Sequence, residues 1–264
     1  MPEGHTIHRL ARDHTSWFRG ESVRVDSPQG RFAAGAALVD GRRFLRAEAH
    51  GKHLFHHFAD GHSVHVHLGL FGKVLRYEPP APPPRETARY RVIGDRAVIE
   101  LVGATICELL LPDEVDAILG RLGPDPLRRD ARPELAYSAL QRRSVGIGRA
   151  LMDQRVLSGV GNVYRAELLF VHGIHPEVPA RDVTTEQWDA MWATLVAWMR
   201  RGVRERRIIT VDPAEAGKAR RRMTREEATY VYRGEVCRRC GGEIRRWDLG
   251  GRWAYACETC QPRH

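Results

Sequence analysis

Apolar residues recur at helical spacing over residues 5–18. Ile7, Leu10, Ala11, His14, Trp17 and Phe18 share one face, and Gly20 stops the run. From about Ser22 to Leu111 the pattern shortens to β-like runs: Leu54–Phe58, Ser63–Leu68, Lys73–Arg76, Tyr90–Ile93 and Ala97–Leu101. Turns such as Asp60-Gly61 and Gly94-Asp95 separate them, and EPPAPPP at 78–84 is a loop. This half predicts an antiparallel sandwich preceded by a helix. After Leu122-Gly-Pro-Asp-Pro the periodicity becomes helical. Thr184 and Gln187 form a capping box ahead of a stripe of Trp188, Met191, Trp192, Leu195, Val196 and Met199, which reads as core. Residues 151–176 predict helix, glycine turn, helix, with Asn162 at the N-cap position. Gly159 and Gly161 there permit close backbone approach, and such a turn either holds a phosphate or simply packs.

Composition narrows the class. Of 264 residues, 42% are hydrophobic and 28% charged, which excludes disordered, collagen-like and disulfide-scaffold chains. The longest apolar run, around Met191–Met199, is about half the roughly 18 residues of a membrane span. The opening MPEGHTIHRL has neither a secretory nor a transit layout, so a cytoplasmic protein is expected. The net charge of +9 is uneven: residues 195–264 carry 17 basic and 9 acidic side chains, while the rest is nearly neutral. A basic final quarter fits a polyanion such as nucleic acid, or is a solvated surface in an arginine-biased chain. That bias is strong: Lys52, Lys73 and Lys218 are the only lysines, and a lysine among arginines offers an amine able to lose its proton.

Cys237, Cys240, Cys257 and Cys260 read C-x2-C-x16-C-x2-C, the spacing of a four-thiolate zinc site. Two disulfides are the alternative, disfavoured in a chain without a secretory opening. One structural Zn2+ is expected, supplying folding energy that so short a segment lacks. The insert folds as a hairpin through Gly250–Gly251, exposing Arg252 between Trp247 and Trp253. A guanidinium on a rigid arm suits a phosphate, though the same ribbon can be inert. Cys107, in ATICELLL, reads as a small buried hydrophobe.

Ten of thirteen histidines fall in residues 1–67, with His56, His57, His62, His65 and His67 close together. No acidic residue at suitable spacing joins them, so a second metal site is not expected. At the start, removal of Met1 before the small Pro2 would leave a secondary amine beside Glu3, at the lip of the first helix. An α-amino group titrates near about 8 in reference peptides, and the positive helix end favours its neutral form. Such an amine, attacking a sugar aldehyde carbon, yields an iminium that acts as an electron sink for elimination. The helix end favours ionised Glu3, so burial is needed if Glu3 is to serve as an acid. Pro-Glu at a terminus is commonplace taken alone.

MPEGHTIHR, GKHLF, HLGLFG at 67–72, LGPDPL at 122–127, LMDQRVLSGVGNVYRAELLF and the four-cysteine hairpin nevertheless occur together in one order. The chain thereby resembles, over essentially its full length, the formamidopyrimidine-DNA glycosylase/endonuclease VIII family of base-excision repair. The resemblance implies a multidomain α+β protein. It comprises an N-terminal antiparallel β-sandwich with flanking helices (1–120), a helix-two-turns-helix DNA-binding domain (121–224) and a C-terminal zinc β-hairpin (225–264). It implies Pro2 as Schiff-base nucleophile, Glu3 as general acid, Lys52 as the lysine assisting β-elimination, and Arg252 for δ-elimination and a phosphate contact. DNA contacts are implied for Asn162 and the preceding Gly161, for Arg121, and for Leu70, an apolar wedge filling the hole left by a flipped nucleotide.

Position 6 is Thr6 where many relatives carry Glu, and Gly69-Leu70-Phe71 lacks the Gln of some endonuclease VIII proteins. The expectation is an endonuclease VIII-like glycosylase and AP lyase acting on oxidised pyrimidines. A purine-preferring enzyme and a catalytically silent DNA-binding relative are the alternatives. Damaged double-stranded DNA is the expected partner, with the protein a monomer and no membrane involved.

Overall fold

The computed structural model describes residues 2–263, in two compact units, 1–121 and 122–264. In the first, helix α1 (Gly4–Phe18) precedes strand β1 (Arg24–Asp26), helix α2 (Ala33–Val39) and strands β2 (Phe44–His50), β3 (His53–Phe58), β4 (Ser63–His67) and β5 (Lys73–Tyr77). Strands β6 (Ala88–Ile93), β7 (Val98–Val102) and β8 (Ile106–Leu110) and helix α3 (Pro112–Leu119) complete it. Two four-stranded antiparallel sheets, ordered β1-β6-β7-β5 and β2-β3-β4-β8, form the expected sandwich.

Alternation places Leu54, His56 and Phe58 of β3 and Val64 and Val66 of β4 toward a core shared with Tyr90, Val92, Ile99 and Leu101. Helix α1 adds Ile7, Leu10 and Phe18 to that core. Its Thr15 hydroxyl donates to the Ala47 carbonyl (3.1 Å) and accepts from the Ala47 N–H (2.8 Å), covering the edge strand β2. Three polar groups cross the interior in series. His14 Nδ1 lies 2.8 Å from His56 Nε2, and His56 Nδ1 lies 3.0 Å from the Tyr90 hydroxyl. Burial holds the His14 imidazole down at about 3 and His56 well below its ordinary range, so both bridge as neutral rings. Strands β1, β2 and β8 are not among the runs named from the sequence. Residues of ATICELLL form β8, and Cys107 is only partly buried, although burial pushes its thiol up to about 12.

The second unit contains α4 (Pro133–Gln141), α5 (Ile147–Ala150), α6 (Asn162–Val171), α7 (Thr185–Glu205), α8 (Pro213–Ala216) and the hairpin β9 (Arg245–Asp248)/β10 (Trp253–Ala256). Helix α7 carries the expected capping box at Thr184 and Gln187. Its buried face is Trp188, Met191, Leu195, Trp198 and Met199, so Trp198 belongs to the core while Trp192 and Val196 lie at its margin.

The segment before α6 departs from expectation. Only one helical turn, α5, forms, and residues 151–161 run as successive turns. Asp153 and Gln154 compete with helix formation. Asp153 Oδ1 accepts from the Arg155 N–H (2.9 Å), and Gln154 Oε1 from the Gly159 N–H (3.0 Å). The Gln154 amide also donates to the carbonyls of Met152 and Val160. Among the described residues, no helix is long and apolar enough to cross a membrane.

Candidate nucleic-acid site and metal centre

In the first unit Pro2 is partly exposed at the open end of α1, and Glu3 is fully buried at its N-cap position. The Glu3 side chain does not cap the helix, whereas its carbonyl accepts from the Thr6 N–H (2.8 Å). Met1 lies outside the described residues. Beside Glu3, His5 is buried and its imidazole is lowered to about 3 by burial and by Arg9. Helix α1 packs on β2 and β3, and Lys52 sits in the two-residue turn that joins those strands. Gly51 takes φ +57° at the first turn position, the pattern of a type II′ hairpin.

Lys52 is electrostatically close to His53 and to His67, at the facing end of β4. His67 Nδ1 accepts from the Gly69 N–H (3.1 Å), tying the next turn to this edge. That turn exposes Leu70 (46%) and, more fully, Phe71 (81%). Phe71 was not singled out in the sequence; its signal is a large apolar side chain in a glycine-flanked turn. Exposed Arg121 closes the unit just after α3.

The second unit brings Asn162 and the hairpin together. Gly161, in extended backbone (φ −121°, ψ −164°), is the N-cap of α6, and Asn162 is the first helical residue rather than the cap. The Asn162 side chain instead donates from Nδ2 to the Trp253 carbonyl (3.0 Å), and its Oδ1 accepts from Arg165. Arg165, one turn along the helix and buried, donates from Nη2 to the same carbonyl (2.7 Å) and from Nη1 to Gly148 O (3.3 Å). This fork fixes the residue after Arg252. One amide N–H of Asn162 is thus used inside the protein, which the phosphate role implied by sequence has to accommodate.

Arg252 is exposed at the end of a four-residue turn. The Leu249 N–H donates to its carbonyl (2.8 Å), and the Gly251 N–H to Asp248 Oδ1 (3.0 Å). Gly250 (φ +67°) and Gly251 (φ +80°) both take left-handed backbone that a side chain at either position would strain. Below the turn Trp247 stacks on buried His175, ring centroids 5.4 Å apart and planes within 8°. The Arg246 guanidinium lies 4.5 Å over the Trp253 ring.

The sulfurs of Cys237, Cys240, Cys257 and Cys260 lie within 4.8 Å of one another. Cys237 is 3.8 Å from Cys260, and Cys240 is 3.4 Å from Cys257, close to the roughly 3.7 Å edge of a tetrahedron with 2.3 Å metal–sulfur bonds. Each C-x2-C turns tightly: the Gly241 N–H reaches the Cys237 carbonyl, and the Cys260 N–H the Cys257 carbonyl. The Gly242 N–H draws the Cys240 thiol down to about 7, while burial pushes Cys260 up to about 12. Four crowded sulfurs ionise together only against a compensating cation, so the donor set fits a thiophilic dication.

Three comparisons place this geometry. The formamidopyrimidine-DNA glycosylase N-terminal domain family matches residues 1–103, and the formamidopyrimidine-DNA glycosylase H2TH domain family matches residues 122–212. Endonuclease 8 1 of Mycobacterium tuberculosis (strain ATCC 25618 / H37Rv) is 47% identical over 267 residues, covering 99% of this chain and 100% of the relative. Formamidopyrimidine-DNA glycosylase of Laribacter hongkongensis is 28% identical, covering 99% and 98%. The fold is similar to that of Lactococcus lactis Fpg, solved in a complex with DNA containing an abasic site. The TM-score is 0.78 and the identity 20%, with 99% of this chain and 100% of that one covered. With full-length identity of 47% to an endonuclease 8 and both domain families matched in order, the chain belongs to the formamidopyrimidine-DNA glycosylase and endonuclease VIII family of DNA glycosylases with AP lyase activity in base excision repair.

Proposed function

We propose that the protein binds damaged double-stranded DNA, excises oxidised bases with a preference for pyrimidines, and cuts the strand by β,δ-elimination through a Schiff base on Pro2. The observation that carries this reading is the head of α1: Pro2 is accessible, Glu3 is buried beside it, and the helix lies on the two strands joined by the Lys52 turn. The pyrimidine preference rests on the higher identity to a protein named endonuclease 8 than to proteins named formamidopyrimidine-DNA glycosylase.

Once Met1 is removed, the Pro2 nitrogen attacks C1′ of the damaged nucleoside. Glu3, withdrawn from bulk water, delivers the proton that the opening sugar requires. The base leaves and the resulting iminium acidifies the C2′ proton. Lys52 assists its removal, and the 3′ phosphate departs. Arg252 contacts a phosphate and promotes the second elimination. Gly161, Asn162 and Arg121 supply further contacts along the strand, and Leu70 fills the space left by the flipped nucleotide. Residues 121–224, all but Arg121 in the second unit, act as the DNA-binding module and 225–264 as the hairpin. Cys237, Cys240, Cys257 and Cys260 hold one zinc ion, which when bound supplies folding energy to the hairpin.

Incubation with single-lesion duplexes, read for base release and end chemistry, tests the reading. Thymine glycol and dihydrouracil are expected to be released faster than 8-oxoguanine, leaving δ-elimination ends. The reverse order would establish the purine-preferring alternative. Borohydride is expected to trap a protein–DNA adduct on an abasic duplex. Undiminished trapping by protein carrying an N-terminal extension would remove Pro2 from the nucleophile's role.

A further inference from the structure

The outer face of the β2-β3-β4-β8 sheet carries a hydrogen-bonded chain that the proposed reaction does not use. Glu108 of β8 sits opposite His65 of β4 in the strand register, and its Oε1 lies 2.8 Å from His65 Nδ1. His65 Nε2 lies 2.8 Å from Nδ1 of His53, the first residue of β3. The three rings of Phe55, His65 and His53 lie nearly parallel, with centroids 4.9 and 5.1 Å from the His65 ring and planes within 16°. His65 is 1% exposed, whereas the Glu108 side chain is 48% exposed.

The direction of this chain follows from chemistry. A carboxylate can only accept, so His65 donates from Nδ1. Burial keeps His65 and His53 neutral, so His65 Nε2 holds a lone pair and accepts a hydrogen bond from His53 Nδ1–H. His53 Nε2 is then left as an acceptor. The groups around His53 are His65 and His67 from β4, His50 from β2 and Lys52 from the turn. His67, whose Nδ1 accepts from Gly69, has the opposite polarity and carries its proton on Nε2.

We propose that Glu108 and His65 are positioning residues that fix His53 with a lone pair on Nε2 beside Lys52, so that an exposed carboxylate on β8 sets how the Lys52 turn is held. An acceptor at that edge attracts the Lys52 ammonium, whereas an inverted chain would turn an N–H toward it and push it away. This inference rests on the reading of Lys52 as part of the abasic-site machinery.

The test uses the full chain with 15N-labelled histidine. Long-range 15N–1H spectra are expected to show His53 and His65 as Nδ1–H tautomers. Glu108→Gln keeps an acceptor oxygen and is expected to retain both tautomers and wild-type cleavage of an abasic duplex. Glu108→Lys places a donor there and is expected to convert both rings to the Nε2–H form, lowering kcat several-fold with KM unchanged. An unchanged His53 tautomer in Glu108→Lys, or an inverted one with unchanged kcat, would overturn the proposal. If wild-type protein does not cut the abasic duplex, the reading of Lys52 fails and the role of the chain with it, while the tautomers still report whether the chain exists.

Discussion

The turn that carries Lys52 and the turn that carries Arg252 are both hairpin ends, yet different forces hold them. Lys52 stands on strands whose inner faces belong to a large apolar core, and the polar groups of the strand that follows it include half-buried His53 and buried His56, both kept neutral. Arg252 stands on two four-residue strands with little core of their own. Four sulfurs gather at the base of that hairpin, and the Arg165–Asn162 fork grips the Trp253 carbonyl near its tip. Where apolar area is plentiful, burial sets the position of a functional side chain. Where it is scarce, metal coordination and charged hydrogen bonds replace it.

Removing the metal breaks this comparison most sharply. Chelation, or Cys257→Ser, is expected to remove folding energy on the order of 10 kcal/mol from the hairpin alone. Amide exchange should rise over residues 235–263 while the strands of the sandwich keep their protection. Equal loss of protection in both units would show that metal is not the hairpin's own source of stability.

Chemistry and grip are expected to separate in the same way. Glu3→Gln should reduce base release from a thymine-glycol duplex by about 10²–10⁴-fold while leaving much of the cleavage at preformed abasic sites, because an abasic aldehyde needs no proton to expel a base. Arg252→Ala should instead weaken binding on all sequences alike and lower the slope of log affinity against log salt by about one. A fall of both activities in Glu3→Gln protein that still binds DNA would assign Glu3 to elimination as well.

Acid should separate the two cores. His5, His14 and His53 are each held at about 3 in the folded chain against an ordinary 6.5, mainly through burial. The unfolded chain therefore binds more protons between those values. Stability from these groups is full above 6.5 and is lost as pH falls toward 3. His172 and His175 in the second unit are lowered too, but they are fewer. Urea denaturation followed through the methyl resonances of Val92 and Leu157, one from each core, should show the first unit losing more stability on acidification. Equal losses would refute the assignment.

The smallest expected effect is that of Arg165→Leu, which removes the Nη2 bonds to the Trp253 carbonyl and to Asn162 Oδ1 and the Nη1 bond to Gly148. It should cost about 1–3 kcal/mol and increase exchange at the hairpin tip without releasing metal.

The chain order itself contained much of this protein. Helix α1, most strands of the sandwich, the capped helix α7 and the four-cysteine spacing were legible because each rests on contacts between near neighbours, through a period of 3.6, a period of 2, a capping box and two tight C-x2-C turns. Tertiary structure decided what the polar residues do. The histidine strands lack an acidic partner in the sequence, yet β8 carries Glu108 to His65 from 43 residues away. Asn162 looks like a helix cap until the hairpin, 91 residues on, offers a carbonyl that its amide and Arg165 reach together. Asp153 and Gln154 end a helix that apolar spacing favours, because their side chains capture nearby backbone groups. Apolar periodicity records which face of an element is buried. Hydrogen bonds between distant elements depend on register and docking, which appear only when the chain is folded.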